Sequence, residues 1–203
     1  MRQISEIEKD GGFRLTALLL SLILALPVCA YDYPLSSTAI REAYFLGRRQ
    51  GSLGADFLVQ YIRAIPELRA GSFVSQIRIE TPFSRVAEEA SKKLDYSAQD
   101  AVADSLNKPA VFRIYLDVCY RSDAPPNSVR ITAIQNKKEL VPLSVDTSPY
   151  YPATDKRHHI PSVGERVQLE FDAGHLDSSS LTILIDAPDG QHAETQFDLR
   201  ALR

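Results

Sequence analysis

Val111 to Tyr120, in the middle of the chain, restricts the fold more than any other stretch. Phe112, Ile114, Leu116, Val118 and Tyr120 are apolar or aromatic at every second position, with Arg113, Asp117 and Cys119 between them. A period of two commits one face of an extended strand to a core. Pro109 stands just ahead of the strand, where no ladder bond is asked of it. The chain before this strand reads mostly as helices, and the chain after it as strands and turns.

The first thirty residues read as a leader. Leu15 to Val28 is apolar apart from Thr16, Ser21 and Pro27, follows Arg14, and ends in Val28-Cys29-Ala30. That run is short for a membrane span and suits the apolar segment of a secretory signal, with cleavage after Ala30. Glu6, Glu8 and Asp10 are unusual ahead of such a segment, which keeps an uncleaved anchor as the alternative. Val28 occupies the position where a lipoprotein signal needs a small residue before its cysteine. The mature chain from Tyr31 is expected in the periplasm or outside the cell, touching a membrane only through an uncleaved leader.

Cleavage leaves 173 residues, enough for one domain with a sizeable core. The net charge is −3 and no basic face is evident, which argues against nucleic acid. Cys119 is the one cysteine of the mature chain, so no internal disulfide forms and the core must carry the stability.

Ser36-Ser37-Thr38 offers an N-cap for a helix through Gly47, with Ile40, Ala43, Tyr44 and Gly47 on one face. Leu58, Tyr61, Ile62 and Ile65 predict a second helix, ended by Pro66. Phe73, Ser75, Ile77 and Ile79 alternate as a strand up to Thr81-Pro82. A helix over 84–94 follows, with Val86 and Ala90 inward. Ser97 and Asp100 then have the spacing of a capping box for a helix that buries Ala101, Val102 and Leu106.

Ala43-Tyr44-Phe45-Leu46-Gly47-Arg48-Arg49, Thr81-Pro82-Phe83 and Tyr96-Ser97-Ala98-Gln99-Asp100-Ala101 together resemble an uncharacterised family of exported bacterial proteins. The resemblance covers roughly residues 36–121. It implies export and a shared architecture, and supplies no catalytic residue.

Beyond Pro125-Pro126-Asn127, a strand over 129–134, a turn at 135–138 and a returning strand over 140–145 are expected. Pro142 marks the returning strand as an edge. An irregular stretch runs from Asp146 to Gly164. Val167, Leu169 and Phe171 alternate as a strand, as do Leu181, Ile183 and Ile185. Pro188-Asp189-Gly190 turns the chain into a last strand through Thr195, Phe197 and Leu199. The sum is an α+β unit: an immunoglobulin-like β-sandwich of about seven strands with N-terminal helices packed on it. Residues 31–107 form the helical region and lend one strand, and residues 108–203 form the sandwich, as one compact unit.

The 146–164 stretch draws the functional interest, because long loops in compact domains are usually functional. It holds Tyr150, Tyr151, Asp155, Arg157, His158 and His159. The tyrosines suit stacking on a sugar or anchoring a partner, or pin the loop to its own sandwich. His158 and His159, with His175, are the candidate metal ligands, although adjacent histidines without a spaced third ligand equally describe a solvated pair. Cys119 beside Arg113 and Arg121 is a reactive thiolate or a small buried hydrophobe; in the second case Arg113 pairs with Asp117. No Gly-x-Ser-x-Gly, phosphate loop, His-Glu-x-x-His or Gly-x-Gly-x-x-Gly is present. A non-enzymatic binding or scaffolding module is therefore expected, with no cofactor, recognising another envelope protein or a cell-surface polymer. A metal-binding protein or metal-assisted hydrolase is the alternative.

Overall fold

The computed structural model describes residue 31 and residues 33–49, 52–65, 72–120, 129–150, 163–186 and 192–202. The chain is α+β with two antiparallel sheets. Its elements are α1 (Ser37–Arg48), α2 (Ser52–Val59), β1 (Ile62–Ala64), β2 (Ser72–Glu80), α3 (Pro82–Lys92) and α4 (Ala98–Asn107), followed by β3 (Val111–Tyr120). Then come β4 (Arg130–Gln135), β5 (Lys138–Leu140), β6 (Ser144–Tyr150), β7 (Val163–Asp172), β8 (Ser180–Asp186) and β9 (His192–Asp198). One sheet runs β1-β2-β3-β7-β6 and the other β5-β4-β8-β9. Among the described residues no helix is long and apolar enough to cross a membrane.

β3 is the central strand of the larger sheet, and Phe112, Ile114, Leu116 and Val118 are its buried face. Paired on either side are rows such as Ile79-Ile114-Leu169 and Ile77-Leu116-Val167. Leu181, Ile183, Ile185 and Phe197 of the smaller sheet join the same buried cluster, an arrangement compatible with a β-sandwich. On one flank Arg63 of β1 lies over the Phe197 ring of β9, 4.9 Å from its centre, and ties the two sheet edges together.

Several expectations are corrected. The second helix stops at Val59 rather than Pro66. Ile62–Ala64 pair with the edge of β2, and Ile79 donates to the Tyr61 carbonyl at 2.9 Å. A β-branched residue beside an open strand edge takes the ladder over another helical turn. Residues 31–107 thus lend two strands. In β2 a bulge between Val74 and Gln76 shifts the alternation, so Val74 is buried on the core face of Ile77 and Ile79. Leu140 to Val145 is split: β5 pairs with β4, the chain crosses at 141–143, and β6 joins the other sheet beside β7. Leu106 is 77% exposed instead of buried. The described strands number nine, against about seven expected.

The helix starts are set by local chemistry. Thr81 caps α3 with Ser84 in a reciprocal box and Pro82 in its first turn, two residues before the expected start. Ser97 and Asp100 form the expected box: Asp100 N–H donates to Ser97 Oγ at 3.1 Å and Ser97 N–H to Asp100 Oδ2 at 2.8 Å. α1 buries Ile40 and Ala43 in a second apolar cluster with Phe83, Val86, Ala87 and Ala90 of α3 and Ala101 of α4.

Glu88 of α3 reaches Arg78 of β2 at 2.9 Å and also pairs with Lys92. Burial alone would raise its pKa, but the two cations outweigh burial and hold it below the usual carboxylate value. A carboxylate held below its unfolded value stabilises the fold above that value, and the contribution is lost as pH falls through the folded one. Glu88→Gln is therefore expected to flatten the acid side of the stability curve. Melts between neutral pH and about pH 3.5 check this: wild type should lose more of its melting temperature than the variant.

Candidate functional site

The outward face of the five-stranded sheet carries cross-strand charge rows. Glu80, Arg113, Glu170 and Ser144 stand side by side on β2, β3, β7 and β6. Arg113 Nη1–H donates to Glu80 Oε1 at 2.8 Å and its Nε–H to Glu170 Oε1 at 2.6 Å. In the next row Arg78 stacks over the Tyr115 ring at 4.3 Å, and the Tyr115 hydroxyl reaches Glu80 Oε2 at 3.4 Å. Burial, then the negative charge of Glu80, raises the Tyr115 pKa. In the third row Arg166 grips Asp117 through two bonds of 2.6 and 2.9 Å. Arg113 and Asp117 thus pair across strands with Glu80, Glu170 and Arg166. The expected Arg113–Asp117 pair does not form, since a same-strand neighbour four positions on is farther than the residue directly opposite.

Beside the first row, α3, α4 and the start of β3 enclose a cleft of about 170 Å³. β2 ends in Glu80 and leads into α3, while α4 leads through Lys108 into β3, where Arg113 pairs with Glu80. The two junctions are therefore neighbours. Arg85 in the first turn of α3, Lys108 after α4, and Arg113 of β3 line the cleft from the elements that meet at this end of the sheet. Glu89 and Asp104, one helical turn farther from the sheet on each helix, line it with Tyr96. The Tyr96 hydroxyl contacts Asp104 Oδ2 at 3.4 Å; burial first, then Asp104, pushes the phenol pKa up to about 12. Lys108 pairs with Asp104 at 2.8 Å, and Lys93 with Glu89. Among the described residues no carboxylate pairs with the Arg85 guanidinium.

The β5–β6 flank is open. Val145 is aligned with buried Leu169 and Ile114, on the core side of the sheet, yet it is 57% exposed. Leu143 and Val141, two and four residues earlier, are 64% and 84% exposed. β5 covers only Ala133 to Gln135 of β4, so among the described strands nothing pairs with the outer edge of Arg130 to Thr132. The apolar row of the core thus runs out to solvent along an edge strand.

The residues singled out from the sequence fare unevenly. The expected irregular stretch begins as β6, which runs through Tyr150, and ends inside β7; Tyr150 stands opposite Gly164. Tyr151, Asp155, Arg157, His158 and His159 lie outside the described residues, as do Pro125-Pro126 and Pro188-Asp189-Gly190. His175 is described: exposed, at the far end of β7, with Nδ1 3.9 Å from Asp172 Oδ2. No group of three metal-ligating side chains converges among the described residues. Cys119 is buried. The cleft has no plain signature in the sequence beyond the one-turn spacing of Arg85-Glu89 and Asp104-Lys108. No family model matches the chain, and no curated protein matches it either.

Proposed function

We propose that the protein is an exported, non-enzymatic binding or scaffolding module of the bacterial cell envelope, built as an immunoglobulin-like sandwich with the N-terminal helices packed on it. The strand order supports the sandwich reading. Counted from β2, the strands fall into sheets A-B-E-D and C′-C-F-G, the immunoglobulin arrangement, with β1 added outside the first strand. The Arg78–Glu88 bridge supports docking of the helical layer on the sheet. The apolar run at 15–28 and the resemblance of residues 36–121 to exported bacterial proteins support the location.

The single observation that carries the function is the exposed row Val141, Leu143 and Val145 on the open flank. An edge left unpaired among the described strands, beside solvent-facing apolar side chains, suits strand addition, in which backbone bonds give affinity and alternate side chains give specificity. The occupant is then an extended segment of another envelope protein, apolar at alternate positions, rather than a polysaccharide. The metal reading has less support. His175 is some 30 Å along β7 from Val163, whereas the five residues from Val163 back to His158 span at most about 18 Å.

Exchanging Leu143 and Val145 together for lysine is the test. Both side chains are exposed, so the melting temperature should move little, while capture of the envelope partner falls at least tenfold. Unchanged capture would remove this flank from consideration.

A further inference from the structure

We propose that the cleft between α3 and α4 binds a small zwitterion of the α-amino acid class, its carboxylate on Arg85 at the sheet end and its ammonium on Glu89 and Asp104 at the outer end. The cleft is dipolar by construction. The antiparallel pairing of β2 and β3 brings the start of α3 and the end of α4 to the same end of the sheet, and with them Arg85 and Arg113, while Lys108 reaches back from the end of α4 to Asp104. The acidic pair stands one turn away on both helices.

The partners of these charges decide which are available. Arg113 is held by Glu80 and Glu170 and forms a fixed floor. Among the described residues the Arg85 guanidinium has no carboxylate partner, and its planar fork matches a ligand carboxylate bidentately. Glu89 and Asp104 are paired with Lys93 and Lys108, whose side chains are about half exposed. Such pairs are held weakly and exchange readily for a better-placed ammonium. The Tyr96 phenol beside Asp104 adds an aromatic wall and a hydroxyl. A space of about 170 Å³ equals that of roughly six waters, the scale of a free amino acid and too small for a folded partner.

This site shares no residue with the β5–β6 flank and does not depend on export, so each can fail alone. The test is a set of thermal melts of the purified full chain, followed by calorimetric titration, with glycine, alanine and serine as zwitterions. Acetate serves as the anion alone and methylamine as the cation alone. Ligand binding to the folded state stabilises it by RT ln(1 + [L]/Kd), and the melting point rises with it. The zwitterions are expected to raise it by several degrees at millimolar concentration, and acetate and methylamine by less than one. Arg85→Gln, at a half-buried surface position, should keep the unliganded melt and circular dichroism and lose binding at least tenfold. Glu89→Gln should weaken zwitterions and leave acetate unaffected. Flat melts with all ligands, equal stabilisation by acetate, or undiminished binding to a folded Arg85→Gln chain would each overturn the assignment.

Discussion

Arg113→Met is expected to lower the unfolding free energy by about 3 kcal/mol near neutral pH. Arg113 stands between Glu80, whose side chain is 8% exposed, and Glu170, and pairs with both. Methionine keeps much of the packing volume but leaves two carboxylates uncompensated on the strands either side of β3. Removing one partner of a buried ionic group costs far more than the pair contributes net, because the survivor stays desolvated. For a chain of this size the loss corresponds to a fall of roughly 6–12 °C in melting temperature. Chemical unfolding of the two proteins measures it. Adding Glu80→Gln to the Arg113→Met chain should restore more than half of the loss, since it removes one of the unpaired charges without changing shape. If the double variant is no more stable than the single one, lost packing rather than charge is the cause.

Gly47→Ala is expected to cost about 2 kcal/mol, although alanine is the better helix former by about 1 kcal/mol. A Cβ built on Gly47 would lie 2.0 Å from the Ala87 carbonyl oxygen and 3.0 Å from Ala90 Cβ. Backbone blocks it, so α1 and α3 must separate, and the cluster around Ile40, Phe83 and Val86 loses contact. Ala43, one turn earlier on this face of α1, is fully buried, and Ala39, a turn before that, packs against the same cluster. Leu106→Ala is the control: its side chain is largely exposed, and the melting point should hardly change. A Gly47→Ala protein as stable as wild type would mean the two helices do not meet this closely.

The central strand was legible because both its neighbours and the opposite sheet act on the same four residues, Phe112, Ile114, Leu116 and Val118, so its alternation had nothing to disturb it. Phe171 and Ile183 were legible for the same reason. The bulge at Val74 was not, since one extra residue leaves the local pattern plausible in either frame. The switch from β5 to β6 was hidden because each half alternates on its own, and only the partners differ. From Asp146 on, β6 looks irregular in the sequence, because Asp146, Ser148 and Pro149 carry no apolar rhythm on an edge strand. The charge rows were out of reach for another reason. Arg113 meets Glu80 and Glu170 across 33 and 57 residues, and Arg166 meets Asp117 across 49. Same-strand spacing suggested Arg113 with Asp117 because sequence displays only local neighbours. The cleft follows from the same pairing: the Glu80–Arg113 register is what brings Arg85 and Lys108 together. Leu106 fitted a helical stripe, but α4 has no neighbour on that side among the described elements to cover it.

The account stands or falls on whether the β5–β6 flank receives a polypeptide. The most direct measurement places a photoreactive amino acid at Thr147, an exposed position on the same side of β6 as Val145, and irradiates living cells. The account predicts one discrete protein adduct in the envelope fraction, lost when Leu143 and Val145 are both lysine and retained when the probe chain carries Arg85→Gln. An adduct that survives the lysine exchange, or irradiation that yields no protein adduct at all, would contradict it.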